Sequence, residues 1–168
     1  MGFVFILGGA RSGKSAFAQR LGVESRRSVT FVATAKPEDA EMAERIQRHR
    51  RDRPAAWRTV EVPLELGAAI AALPREDFVI VDCLTLWASN ALGASCTPDQ
   101  IRAAAEVVAG ELAGRDGVAV SNEVGLGIVP ANALGRTFRD VLGGVNACFA
   151  AHADRAVLMV AGRALELA

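Results

Sequence analysis

The sequence predicts an α/β fold, a mostly parallel sheet with helices on both faces, formed by residues 1–168 as a single domain. Three observations predict it. Short, continuous apolar runs alternate with longer helical patterns, as strands buried on both faces require. The first of these runs leads at once into GGARSGKS (8–15), a glycine-rich turn followed by a helical stretch. The chain also lacks any low-complexity tract, repeat or linker at which a domain boundary would fall.

The strands are read at FVFIL (3–7), VTFVATA (29–35), FVIVDCL (78–84), GVAVSN (117–122) and RAVLMVAG (155–162), with a weaker candidate at WRTVEV (57–62). Between them, helices are expected from Lys14 to about Gly22, over roughly 38–52, about 64–72, 98–114 and about 131–152. Pro37, followed by Glu38, Asp39 and Glu41, suits a helix N-terminus. Proline needs no donor there, and acidic side chains complement the helix dipole.

Composition narrows the function classes. With 51% apolar and 23% charged residues, and 19 basic side chains against 19 acidic ones, neither disorder nor bulk attraction to nucleic acid is indicated. Any positive site has to be local. Cys83, Cys96 and Cys148 are odd in number, widely spaced and without a CxxC pair, which speaks against a disulfide framework and a zinc site and suits a reducing cytoplasm. The N-terminal apolar run has no basic leader, Ile6 replaces the Ser or Thr of a myristoylation signal, and no stretch is long enough to span a bilayer. The chain is therefore read as soluble.

GGARSGKS fits G-x-x-x-x-G-K-[ST] at Gly8, Gly13, Lys14 and Ser15, between a strand and a helix. Gly8, Gly9, Ala10, Arg11, Ser12 and Gly13 then bend the backbone so that successive N–H groups point at phosphate oxygens, and the helix adds its positive end. Lys14 is expected at the β and γ phosphates of a nucleoside triphosphate and Ser15 on Mg²⁺. A second acidic partner for Mg²⁺ is needed at the end of another strand. Asp82, ending FVIVD, is the natural candidate, with a helix cap or a loop carboxylate as the alternative use of that side chain.

ERIQRHRRDRP (44–54) places His49 among Arg45, Arg48, Arg50, Arg51 and Arg53. Glu41 with Arg45, and Glu44 with Arg48, are four residues apart, so a solvated helix face explains part of the charge. Met42 and Ile46 would form that helix's buried stripe, with His49 near the same side. The chemical reading is sharper. Crowding guanidinium groups disfavour a charged imidazole, which keeps it nucleophilic, and the same groups can take up phosphate charge in phosphoryl or nucleotidyl transfer. His152, in AAHADRA, has no such surroundings and is read as structural.

GGARSGKS, RIQRHRRDRPAAWRTVE and SNEVGLGIVPANALGRTFRD together resemble one family, the bifunctional adenosylcobinamide kinase/adenosylcobinamide-phosphate guanylyltransferases of cobalamin biosynthesis. The resemblance runs from about Phe3 to about Leu158 and rests most on Arg45, Ile46, His49, Arg50, Arg53, Pro54, Trp57, Arg58 and Thr59. It implies a sheet like that of the recombination ATPases and a homotrimer. It also implies two reactions on a corrinoid substrate, with ATP, GTP and Mg²⁺ as cofactors. In the first, the cobinamide hydroxyl is phosphorylated. In the second, a histidine, here His49, attacks the α-phosphate of GTP and passes GMP to the phosphorylated cobinamide.

By the same resemblance, Thr34, Ala35 and Lys36 lie where the nucleotide crosses the sheet edge. Arg50 and Arg53, with Arg51 and Asp52 between them, are candidate nucleotide contacts. Glu61 is a candidate for guanine, whose N1–H and amino group a carboxylate can accept. Asn122 and Glu123 emerge at the C-terminal edge of the sheet, where ligands bind in open parallel sheets. Cys148 and Phe149, and the end GRALELA without the usual proline and lysine, depart from the family pattern and touch C-terminal packing or subunit contacts. Two other readings stay open on the residues alone: a kinase of another small molecule, with His49 a phosphate ligand, and a nucleotide-binding switch without a small-molecule acceptor.

Overall fold

The computed structural model describes residues 1–37, 39–51 and 53–167. In chain order the elements are β1 (Phe3–Gly8), α1 (Lys14–Glu24), β2 (Val29–Ala33), α2 (Ala40–Arg51), β3 (Arg58–Glu61), α3 (Leu66–Ala71) and β4 (Phe78–Asp82). There follow α4 (Leu84–Gly93), α5 (Pro98–Ala113), β5 (Gly117–Asn122), α6 (Ala133–His152), β6 (Arg155–Val160) and β7 (Arg163–Leu167). One sheet runs β3-β2-β4-β5-β1-β6-β7, parallel except for β7, which pairs antiparallel with β6.

The alternation along each strand sorts the core into two layers. Phe3, Phe5, Val79, Val81 and Ala119 meet α3, α4, α5 and α6 through Leu66, Ile70, Trp87, Ile101, Leu112, Leu142 and Phe149. Val4, Ile6, Phe31, Ile80, Val118 and Val120 meet α1 through Phe17, Ala18 and Leu21. Gly22 of α1 allows the Trp57 ring to pack close, since a Cβ there would lie 2.9 Å from the ring edge. A capping box opens α5, where Thr97 and Gln100 exchange hydrogen bonds, a device worth about 1 kcal/mol.

Two elements differ from the sequence expectation. FVIVDCL ends as strand at Asp82, and Leu84 already belongs to α4, a helix the sequence reading leaves out. Its buried Leu84, Trp87, Ala88 and Ala91 have helical spacing. RAVLMVAG stops at Val160 and turns at Ala161 and Gly162 into β7, so GRALELA forms a hairpin edge. Pro37 also precedes α2 rather than opening it. Asp39 takes the capping position, its Oδ1 accepting Met42 N–H at 2.7 Å. Glu38 and Asp52 lie outside the described residues, as do the side chains of Glu41 and Arg45.

The strand ends opposite the phosphate loop are held by Asp116. Its carboxylate accepts from the N-terminal amine at 2.8 Å and from Gly2 N–H, and it pairs with Arg27 at 2.6 Å. The hydrogen bonds from the amine and from Gly2, then Arg27, hold its pKa below the usual 3.8. A depressed carboxyl pKa stabilises the fold above about pH 4, and that contribution is lost as pH falls through the lowered value. Asp116→Asn is therefore expected to cost about 2 kcal/mol at neutral pH. In urea unfolding, the mutant and wild-type midpoints should converge on acidification.

Candidate active site

The topology brings the chemistry-bearing residues to the C-terminal edge of the sheet. β5 lies between β1 and β4, so its end stands between the phosphate loop and Asp82. Gly8 is level with Asn122, and Asp82 with Val120. Glu123 N–H bonds the Gly8 carbonyl at 3.0 Å, and Asn146 reaches the Asn122 carbonyl at 3.1 Å.

The loop from Gly8 to Gly13 is fixed from below. Gly162 N–H, in the β6–β7 turn, bonds the Ser12 carbonyl at 2.9 Å. A Cβ on Gly8 would stand 2.5 Å from the Met159 carbonyl oxygen, so only glycine fits. Gly9, Ala10 and Arg11 are exposed at the loop crest, and Gly13, at φ 98, turns the chain into α1. No side chain caps α1 and no acid sits in its first turn, so the helix offers its N-terminal N–H groups and its dipole to a ligand. Lys14 is buried, and its Nζ donates to Gly8 O at 2.9 Å and Gly9 O at 2.6 Å. Burial holds its pKa below the ordinary lysine value, opposed by Cys83 and Asp82.

A cleft lies beside this loop. Ser15, Ala35, Met42, Ile46, His49, Arg53, Glu61, Asp82 and Asn122 line it, with Ala33, Cys83 and Leu86 at its base. Met42, Ile46 and His49 therefore share a face of α2, but that face looks into the cleft and not into the core. No α2 residue whose burial is described is fully buried.

The arginines are divided among separate partners. Arg48 pairs with Glu44 at 3.0 Å on the exposed face, as a solvated helix would have it, and Arg51 is exposed. Arg50 reaches Glu61 at 3.5 Å. Arg53 stacks on the Phe31 ring, 3.6 Å from its centroid, and its Nη1 donates to Thr59 at 3.4 Å, leaving Nε buried without a partner. Burial lowers the Arg53 pKa, with Asp82 opposing.

Among the residues expected after β2, Ala35 lines the cleft and Lys36 is half-exposed beyond it. Thr34 lies beneath the cleft. Fully buried, its hydroxyl donates to Cys83 O at 2.7 Å and accepts Cys83 N–H at 2.9 Å, so it pins the end of β4 that presents Asp82. Asn90 of α4 adds a second brace, donating to Thr34 O at 2.8 Å and Pro63 O at 3.1 Å. The Glu123 carboxylate folds back onto Gly125 N–H.

Comparison with known proteins bears directly on this site. The family profile described as cobinamide kinase / cobinamide phosphate guanyltransferase matches residues 4–167. The chain belongs to that family. It is 43% identical over 166 residues to the bifunctional adenosylcobalamin biosynthesis protein CobP of Pseudomonas aeruginosa, covering 96% of this chain and 95% of that one. It is 39% identical over 179 residues to the bifunctional adenosylcobalamin biosynthesis protein CobU of Salmonella typhimurium, covering 98% of each.

Among solved structures, the flagellar accessory protein FlaH of Methanocaldococcus jannaschii aligns with a TM-score of 0.53 at 17% identity, covering 99% of this chain and 77% of that one. That likeness concerns the fold alone. The fold is one mostly parallel sheet with the GGARSGKS loop between β1 and α1, and none of the described helices is long and apolar enough to cross a membrane.

Proposed function

We propose that this chain phosphorylates adenosylcobinamide with ATP or GTP and then transfers GMP from GTP to the product, giving adenosylcobinamide-GDP through a GMP-histidine on His49. One observation carries the reading beyond family membership. His49 on α2, Ser15 at the phosphate loop and Asp82 at the end of β4 line one cleft.

In the kinase step the cobinamide hydroxyl oxygen attacks the γ-phosphorus and the nucleoside diphosphate leaves. Lys14, drawn off the Gly8 and Gly9 carbonyls, and the uncapped start of α1 take up the phosphate charge. In the second step an imidazole nitrogen of His49 attacks the α-phosphorus of GTP, pyrophosphate leaves, and a phosphate oxygen of the cobinamide phosphate then displaces the histidine. The same loop retains the leaving pyrophosphate. Ser15 and Asp82, one hydroxyl and one carboxylate on the same cleft, suit Mg²⁺, which supplies charge neutralisation on the triphosphate. The partnerless buried Ser12 hydroxyl also fits a phosphate-bound state of the loop.

Among its described residues α2 meets the cleft through Met42, Ile46 and His49, all half-buried, the property of an element that shifts when a ligand arrives. Glu61 is assigned to guanine, released from Arg50 as the base enters. Glu61→Gln should raise KM for GTP in the guanylyl step about tenfold, the worth of one charged hydrogen bond, and leave the ATP-driven kinase step unchanged. Equal loss with both nucleotides would remove Glu61 from base recognition.

A homotrimer acting in the cytoplasm completes the proposal. Leu126 and Ile128 on the segment after β5, 85% and 98% exposed, and Leu134 in the first turn of α6, 71% exposed, support an assembly, and the three cysteines are free. Sedimentation at equilibrium gives the assembly. The reaction is tested by incubating the protein with adenosylcobinamide and GTP and weighing the products by mass spectrometry. Appearance of the phosphate alone, without the GDP derivative, would reduce the proposal to a kinase.

A further inference from the structure

We infer that Glu106, Cys148 and His152 form a site for a divalent metal of the zinc class, a clamp between α5 and α6 outside the catalytic cleft. Cys148 and His152 are one helical turn apart on α6 and share a face, and α5, packed alongside, brings Glu106 to the same point. The sulfur, an imidazole nitrogen and a carboxylate oxygen all lie within 4.8 Å of one another. Tetrahedral zinc, with bonds of about 2.0–2.3 Å, spaces its ligands about 3.5 Å apart, so only side-chain adjustment separates this cluster from a coordination shell.

The histidine is already oriented for the role. Its Nδ1 lies 3.0 Å from the Cys148 carbonyl, which can only accept, so Nδ1 carries the hydrogen and Nε2 keeps the lone pair. Nε2 points toward Glu106, at 3.6 Å from Oε2. A backbone carbonyl holding the far nitrogen is the arrangement that fixes the tautomer of a metal-ligating imidazole.

Thiolate, imidazole and carboxylate together select a borderline-soft ion such as Zn²⁺ over Mg²⁺, which takes oxygen ligands. The two metals would thus divide between this cluster and the phosphate loop. Cys148 is buried, whereas Glu106 is exposed and His152 half-exposed, so a water can complete the shell from the solvent side. Burial, then the Glu106 hydrogen bond and charge, pushes the free thiol up to about 12, so it is protonated without metal. Binding forms the metal–sulfur bond and releases the thiol proton to buffer.

The place in the fold sets the consequence. Asp154 N–H, just past the end of α6, bonds the Phe3 carbonyl at the start of β1, while the phosphate loop leaves the other end of that strand. A metal here ties two helices together and touches no residue of the cleft.

Co²⁺ added to chelator-treated protein, without corrinoid, reports on the site directly. One equivalent should give thiolate-to-cobalt charge-transfer and tetrahedral d–d absorption, both removed by Zn²⁺. Cys148→Ala should abolish the charge-transfer band, and His152→Ala and the exposed, fold-neutral Glu106→Gln should weaken Co²⁺ affinity at least tenfold. Cys96→Ala should leave the spectrum intact. Zn²⁺ should raise the melting temperature of wild type but not of His152→Ala, with kinase and guanylyl transfer rates alike in the two. Absence of the band at one equivalent, its persistence in Cys148→Ala, or unchanged affinity in both His152→Ala and Glu106→Gln would overturn the site, and a Zn²⁺-insensitive wild-type melting temperature would overturn the clamp.

Discussion

His49→Ala is expected to stop transfer of GMP from GTP to phosphorylated cobinamide while the protein still phosphorylates cobinamide. Loss of a covalent nucleophile costs on the order of 10⁴- to 10⁶-fold in turnover, because no neighbouring group takes over the bond to phosphorus. The substitution is safe for the fold. His49 sits half-exposed on a helix that buries no described residue fully, so no core cavity is opened. His49→Asn is the sharper control, since its amide can hydrogen-bond phosphate but cannot carry GMP. Assay of adenosylcobinamide phosphate and adenosylcobinamide-GDP separately reads both outcomes. Guanylyl transfer at more than a hundredth of the wild-type rate in His49→Asn would place the nucleophile elsewhere.

Lys14→Met is expected to lose both reactions, each by about 10²–10³-fold, the usual cost of removing one strong donor from a developing phosphate charge. The double loss is the signature of one loop serving two bond cleavages. Unfolding is a poor competing explanation. A lysine whose folded-state pKa is lowered by burial costs stability while charged; the cost is full at pH below that lowered value and fades as pH rises from there to the unfolded-state value. Methionine removes the charge at every pH, so Lys14→Met should melt no lower than wild type near neutrality. A mutant that retained guanylyl transfer at the wild-type rate would show that a different group holds the pyrophosphate.

Much of this was legible in the residues because local and global signals agree. FVFIL, GGARSGKS and the helix after it specify a strand, a phosphate loop and a helix between Phe3 and Glu24, and the structure has them in that order. Each of the six sequence-read strands is present, with ends shortened where the apolar run continues past the last ladder bond, as at Ala33 and Asp82. The helix α4 escaped because FVIVDCL and LTLWA merge into one apolar run, and a run of that kind does not show where strand pairing ends. β7 escaped because RALEL is mostly exposed and earns its place by pairing with β6 alone.

Periodicity on α2 identified a shared face for Met42, Ile46 and His49, yet period alone does not say whether a face meets a core or a cleft. Thr34 is the converse case. The family resemblance made it a nucleotide candidate, and only the backbone of Cys83 lying within 2.7 Å of its hydroxyl reveals a bracing role. The Arg cluster likewise reads as one positive patch in sequence, but Arg48, Arg50 and Arg53 go separately to Glu44, Glu61 and the Phe31 ring. His152 gains Glu106 and Cys148 as neighbours through α5–α6 packing, a contact over more than forty residues for which the four-residue spacing to Cys148 was the only local trace.

The central claim is that one phosphate cradle serves two different phosphoanhydride bonds, with His49 accepting the inner phosphorus. Protein incubated with GTP labelled at the α-phosphate, denatured and split between acid and base tests it most directly. Wild type should hold label that survives base and is released by acid, as a phosphoramidate does, with none in His49→Ala and little in Lys14→Met. Equal acid-labile label in wild type and His49→Ala, or no label in wild type that nonetheless makes adenosylcobinamide-GDP, would contradict it.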